Sequence, residues 1–142
     1  MDKIKSTNPK DALGIKKAPM STLPTGPAYE VALAMFEGGR KYGRHNYRVA
    51  GVRGSVYYDA ALRHLCAWWE GENVDPDSGL NHIVKAAACL FVLRDSMLME
   101  NWVDDRPPQY PNGLDMAKLN KAAEEIIKKY PDCVEPFIEK KV

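Results

Sequence analysis

Between Ser78 and Asn101 the chain is apolar around nearly the whole circumference of the helix it would form. Leu80, Ile83, Val84, Ala86, Ala87, Ala88, Leu90 and Phe91 leave no continuous polar stripe. Such a helix belongs at the centre of a bundle or inside an oligomer interface, because it has no face suited to water. Its alanines let neighbouring helices approach closely. The uninterrupted apolar run, Ala86 to Leu93, lies between Lys85 and Arg94 and is too short to span a bilayer, so the expected neighbours are protein.

Other segments supply those neighbours. Pro27 suits a first helical turn, and Tyr29, Ala32, Leu33 and Phe36 keep helical spacing towards Tyr42, with Gly43 as a C-terminal cap. Ser55 is placed to cap a second helix from Val56 to about Glu70, whose inner face is Ala61, Leu62, Leu65, Cys66 and Trp69. Asp75 or Asp77 would cap the third helix at Ser78, and Asn112 a fourth running through Tyr130. Leu114, Leu119, Ala122, Ala123, Ile126 and Ile127 are expected to face inward on that last helix. No strand-like alternation competes. The expectation is an all-α bundle of about four helices with an extended N-terminal arm, assembled as a homo-oligomer through the third helix and the Trp68-Trp69 pair. The expected segments are a basic arm over 1–24, a helical core over 25–103, a proline-rich linker over 104–112, and a C-terminal helix and tail over 113–142.

Charge and cysteine usage exclude several classes. Lys plus Arg number 20 and Asp plus Glu 19, so the chain lacks the one-sided charge of a general nucleic-acid coat. Cys66, Cys89 and Cys133 form no close pair, which argues against a disulfide scaffold or zinc ribbon and for a reducing cytoplasm. Met1-Asp2-Lys3 opens no apolar leader, and no membrane association is expected.

Two constellations carry candidate chemistry. Glu70, Glu72, Asp75 and Asp77 crowd the connection between the second and third helices, with His82 one turn beyond. His64 precedes Glu70 by six residues, or about 9 Å along a helix. Hard carboxylate oxygens suit Mg²⁺ or Mn²⁺, and a histidine beside them suits Mn²⁺ better. The same acids read first as turn and capping residues, and His64 reads equally as a core histidine. In the second constellation, Arg40, Lys41, Arg44, Arg48 and Arg53 alternate with Tyr42, Tyr47, Gly39 and Gly43. Arginine forks grip phosphate oxygens and tyrosines stack on bases, yet the loop also reads as a solvated surface. Walker A, G-x-G-x-x-G and EF-hand patterns do not occur.

Taken in order, Asn8-Pro-Lys-Asp-Ala-Leu-Gly14 with Lys17 and Pro19, Gly39-Arg-Lys-Tyr-Gly43 with Asn46-Tyr-Arg48, Arg63-His64-Leu65 with Ala67-Trp68, and Gly71-Glu72, Asp75, Asp77-Ser-Gly79 and His82 form a set. It resembles the phage-type dATP/dGTP diphosphohydrolase domains, related to the all-α MazG-like nucleoside-triphosphate pyrophosphohydrolases, over roughly residues 8–95. The resemblance implies metal-assisted cleavage of a purine deoxynucleoside triphosphate to the monophosphate and pyrophosphate in the host cytoplasm of a phage. It puts Glu72, Asp75 and His82 in catalysis. Glu70, Glu72, Asp75 and Asp77 would surround Mg²⁺ or Mn²⁺. Lys17, Lys41, Arg44, Asn46, Arg48, Arg63 and His64 would bind the small-molecule nucleotide. Glu72-Asn-Val-Asp75 supplies an E-x-x-D, but no E-x-x-E precedes it. Two rivals therefore stand beside hydrolysis: a non-catalytic nucleotide-sequestering protein, and a helical inhibitor of a host factor.

Overall fold

The computed structural model describes residues 8–139. They form six α-helices and one 3₁₀ turn, and no strand occurs among them. The helices are α1 (Pro9–Gly14), α2 (Thr25–Tyr42), α3 (Asn46–Ala50), α4 (Gly54–Trp69), α5 (His82–Leu98) and α6 (Met116–Lys129), with the 3₁₀ turn at Met20–Thr22. No helix among the described residues is long and apolar enough to cross a membrane. The chain divides into two compact units, Met1–Asp105 and Arg106–Val142.

In the first unit α5 is central, packing on α4, α2 and α3. That matches its all-round apolar surface. Ala34 of α2 meets Val84 and Ala88 of α5 at the core, with Val31, Met35 and Leu80 against them. These small side chains bring the helix axes together but bury little area each. Larger residues on the same helices stay exposed, among them Leu33, Phe36, Leu65, Trp69, Leu90 and Phe91.

Several boundaries differ from the sequence expectation, and two share one cause. α5 begins at His82 rather than Ser78, because Gly79 takes a left-handed conformation (φ 75°) that breaks any earlier start. Asn81 is the true cap, accepting the Ile83 N–H at 2.8 Å. Likewise Gly113 (φ 71°) separates Asn112 from the last helix, and Asp115 caps α6 by accepting the Lys118 N–H at 3.0 Å. Ser55 caps nothing. Its N–H donates to Asp105 Oδ1 at 2.8 Å and its hydroxyl to Asp105 Oδ2, which ties the start of α4 to the segment after α5. Of the arm expected over 1–24, residues 1–7 lie outside the described residues, and 8–24 is not extended throughout, since it holds α1, capped by Asn8 over Lys10 N–H, and the 3₁₀ turn. In the second unit the residues expected to face inward on and before α6 are exposed.

A backbone clamp fixes α3 against the end of α5. The Val103 N–H donates to the Val52 carbonyl at 2.7 Å, and the Gly54 N–H donates to the Val103 carbonyl at 2.9 Å. Asn101 Nδ2 donates to the Arg48 carbonyl at 2.8 Å, and the Arg48 guanidinium forms a two-pronged pair with Asp95 at 2.9 Å per contact.

Candidate functional site

The acidic connection between α4 and α5 is a tightly bonded turn. Asp75 donates its N–H to the Leu80 carbonyl at 2.8 Å, and its own carbonyl accepts the Gly79 N–H at 2.8 Å. Its carboxylate accepts the Asp77 N–H at 3.2 Å and the Ser78 hydroxyl at 2.8 Å. Burial works against ionisation there, but those hydrogen bonds hold the Asp75 carboxyl below its ordinary range. The His82 N–H donates to the Asn73 carbonyl at 2.9 Å, which makes His82 the first residue of α5 and brings it face to face with α4.

There it meets His64. The two Nδ1 atoms are 2.9 Å apart, with ring centroids at 5.1 Å and a tilt of 45°. On its other side His82 Nε2 lies 2.6 Å from Glu72 Oε1. His82 is 4% exposed, whereas Glu72 reaches solvent. Burial pushes the His64 imidazole below the usual histidine range; Asp75 opposes this, while His82, Lys85 and Arg63 reinforce it.

His64 opens onto a cavity of about 760 Å³ between α2, α3, α4 and α5. That volume lies within the roughly 300–1,000 Å³ of small-molecule sites. Phe36, Tyr42, Tyr47 and Tyr57 give it aromatic walls, and Arg44, Asn46 and Lys85 bring polar groups to it. The Arg44 guanidinium carbon stands 5.6 Å from the Phe36 ring centroid, a cation–π arrangement that leaves its N–H edges for other partners. His45 also lines the cavity from a left-handed conformation (φ 67°) at the cap of α3. Burial pushes the Tyr57 phenol and Cys89 thiol up, so neither adds negative charge to the wall at neutral pH.

A second charge cluster borders this cavity. Glu37 Oε1 accepts from Lys85 Nζ at 2.9 Å and lies 3.4 Å from Lys41 Nζ. Lys41 also reaches Asp77 Oδ2 at 3.6 Å, linking the end of α2 to the acidic turn. The Lys85 hydrogen bond, working against desolvation and aided by the charges of Lys85 and Lys41, holds Glu37 below the usual carboxylate range.

Of the expected nucleotide-binding residues, Arg44, Asn46 and His64 line the cavity. Lys41 and Arg48 are not among its lining residues; they pair with Glu37 and Asp77 and with Asp95 respectively. Arg63 is exposed on α4, and Lys17 is exposed between α1 and the 3₁₀ turn. The residue types missed in the sequence are Glu37, Tyr57 and Lys85. Lys85 carried a signal, as the cation that precedes the eight-residue apolar run.

The expected metal ligands do not form one set. Glu72 is held by His82, Asp75 by its own turn and Asp77 by Lys41, while Glu70 closes α4. Among the described residues no three His, Cys, Asp or Glu side chains are gathered as a metal site.

Residues 7–106 match the family model described as dATP/dGTP diphosphohydrolase, N-terminal. The chain belongs to this family. No curated protein and no solved structure matches the chain. The dATP/dGTP diphosphohydrolase match runs past the 8–95 span legible in the motifs, so it includes the clamp residues Asn101, Val103 and Asp105. It covers the helices that enclose the cavity, and the family name is that of a hydrolase acting on purine deoxynucleotides.

Proposed function

We propose that this protein hydrolyses a purine deoxynucleoside triphosphate, dATP or dGTP, to the monophosphate and pyrophosphate, and that it works as a homo-oligomer. The observation carrying this reading is the cavity, which presents aromatic walls and cations together. Flat rings at Phe36, Tyr42, Tyr47 and Tyr57 suit a purine base, and Arg44 and Lys85 suit phosphate oxygens. Asn46 adds an amide with both donors and an acceptor. Lys41 and Arg48 act as wall braces through their carboxylate partners.

The reaction makes a negatively charged leaving group, so cations fixed in a partly desolvated wall stabilise its transition state. Mg²⁺ or Mn²⁺ is assigned to the triphosphate itself, as an ion that accompanies the substrate. The test incubates the protein with the common deoxynucleotides and ribonucleotides, with and without each ion, and identifies products by chromatography and mass. Release of dAMP or dGMP with pyrophosphate supports the reading. Intact nucleotide recovered bound to the protein turns it into the sequestering alternative, and neither product nor bound nucleotide overturns it. A Mn²⁺ titration followed by electron paramagnetic resonance should show no tight site on the protein before nucleotide is added.

A further inference from the structure

We infer that the cavity is directional: the purine base lies at the end where Tyr57 and Cys89 meet, beside α3, and the triphosphate at the end marked by His64 and Lys85. This rests on the nucleotide reading above and deepens it, by assigning the two halves of the substrate to opposite ends of one site. The four rings of the wall are then no longer equivalent, and Tyr57 is the base-binding residue.

The helix register fixes the two ends. α4 and α5 run antiparallel, since His64 meets His82 at one end of the pair and the Gly54 N–H reaches the Val103 carbonyl at the other. Counting two turns back from His64 and two turns forward from His82 puts Tyr57 level with Cys89, about 10 Å along the axis. Both residues line the cavity. Burial foremost, with Cys89 next, pushes the Tyr57 phenol up, in keeping with that pairing. On α5 the cavity face is Lys85, Ala88, Cys89 and Val92, so its charge sits at Lys85, one turn from His82. α3 belongs to the far end, because Arg48 pairs with Asp95 and Asn101 donates to the Arg48 carbonyl.

Charges and rings sort along that axis. The Lys85 ammonium is held at 2.9 Å by Glu37 Oε1, and Phe36, next to Glu37 on α2, carries the Arg44 guanidinium over its ring at 5.6 Å. The lysine and the arginine of the lining are therefore gathered at the level of Lys85, where they suit phosphate oxygens. Phe36 has one face taken by Arg44, and Tyr42 is 72% exposed, so neither encloses a base. Tyr57 and Tyr47 are half-buried and stand at the far end with Cys89 and Val92. A small-molecule site buries most of its ligand, and a stacked ring gives a purine that burial without charge. A triphosphate entering the other way round would set its charges against Cys89 and Val92 and leave Lys85 opposite a neutral base.

The experiment offers the two halves of the substrate separately to the whole protein: deoxyadenosine or deoxyguanosine for one end, and inorganic tripolyphosphate for the other. Alkylation of Cys89 by iodoacetamide, followed by peptide mass, reads the wild type directly, with the exposed Cys133 as internal control. A deoxynucleoside should slow Cys89 alkylation several-fold and tripolyphosphate should leave it unchanged. Protection by tripolyphosphate, or none by either deoxynucleoside, overturns the inference. In calorimetry Tyr57→Leu should weaken deoxynucleoside binding by about 5- to 150-fold, the range of a lost base stack, and hold tripolyphosphate within about two-fold. Lys85→Met should do the reverse, weakening tripolyphosphate by about ten-fold or more. Release of pyrophosphate from dATP or dGTP by a protein whose Cys89 is shielded only by tripolyphosphate overturns the orientation and leaves the hydrolase reading intact. A protein inactive on every nucleotide overturns hydrolysis, and Cys89 protection still decides the orientation.

Discussion

Glu37 shows how a single carboxylate organises the wall of the cavity. It stands between Lys85 and Lys41, its side chain only 22% exposed, and its charge is what lets Lys85 sit at the edge of an apolar helix. Its folded pKa is depressed, so the stability it contributes is present above the unfolded value of 4.5 and is lost as pH falls through the lower folded value. Asp75 and Asp105 are depressed too and lose their contributions in the same acidic window, so the wild type alone does not isolate Glu37. Comparing wild type with Glu37→Gln does. Urea unfolding at pH 7 should show the variant less stable by no more than about 1 kcal/mol, the scale of a solvent-screened pair. Near pH 3 the difference should shrink towards zero. An equal difference at both pH values would remove the ion pair from the account.

At the scale of elements, the tightest joint is where Gly51 passes the end of α5. A Cβ on Gly51 would sit 2.0 Å from the Asn101 carbonyl oxygen, and the backbone there has φ 72°. Gly51→Ala therefore meets both a backbone clash and a left-handed conformation, and should cost at least about 2 kcal/mol. Thermal unfolding should record a fall of roughly 10 °C. Gly71→Ala is the control, since it has a similar left-handed φ of 100° but open space around its Cβ, and should fall less. This joint was invisible in the sequence, which shows only three glycines in a basic loop. Apolar periodicity made the long helices legible, because every third or fourth residue of α2, α4 and α5 reports a local repeat. The caps were misplaced because Asp75, Asp77 and Asn112 have the right chemistry but lie before a left-handed glycine. The His64–His82 contact joins residues eighteen positions apart and depends on the relative rotation of two helices, which no local pattern encodes. Arg48 had the chemistry of a phosphate ligand, and only the tertiary position of Asp95 shows that it is already paired.

For the molecule as a whole, the balance between core and surface points beyond one chain. The buried apolar residues of the first unit are only alanines and valines, Ala34, Val84 and Ala88 forming the cluster with Val52, Ala61, Ala86 and Val92 also buried, while many large apolar side chains of the same helices face out. Their spacing is regular: Tyr29, Leu33 and Phe36 on α2, Leu62, Leu65 and Trp69 on α4, and Ile83 and Leu90 on α5 are all exposed and recur at helical intervals. Trp69 is 79% exposed beside an apolar notch of about 290 Å³ lined by Leu65, Cys66 and Trp68. Soluble monomers rarely leave contiguous apolar patches larger than a few hundred Å². In the proposed homo-oligomer a second copy of this chain would meet such stripes with stripes of the same chemistry, as a two-fold interface requires. Light scattering on the purified protein should therefore give a multiple of the 15.9 kDa chain mass, with a melting temperature that rises with concentration. Replacing Leu65 and Trp69 together by serine should shift the mass towards the monomer and remove that concentration dependence. Neither residue lines the cavity, so nucleotide binding by the dissociated form separates assembly from chemistry. A monomeric wild type would show that these stripes serve another purpose, and the oligomer would fall while the cavity remained.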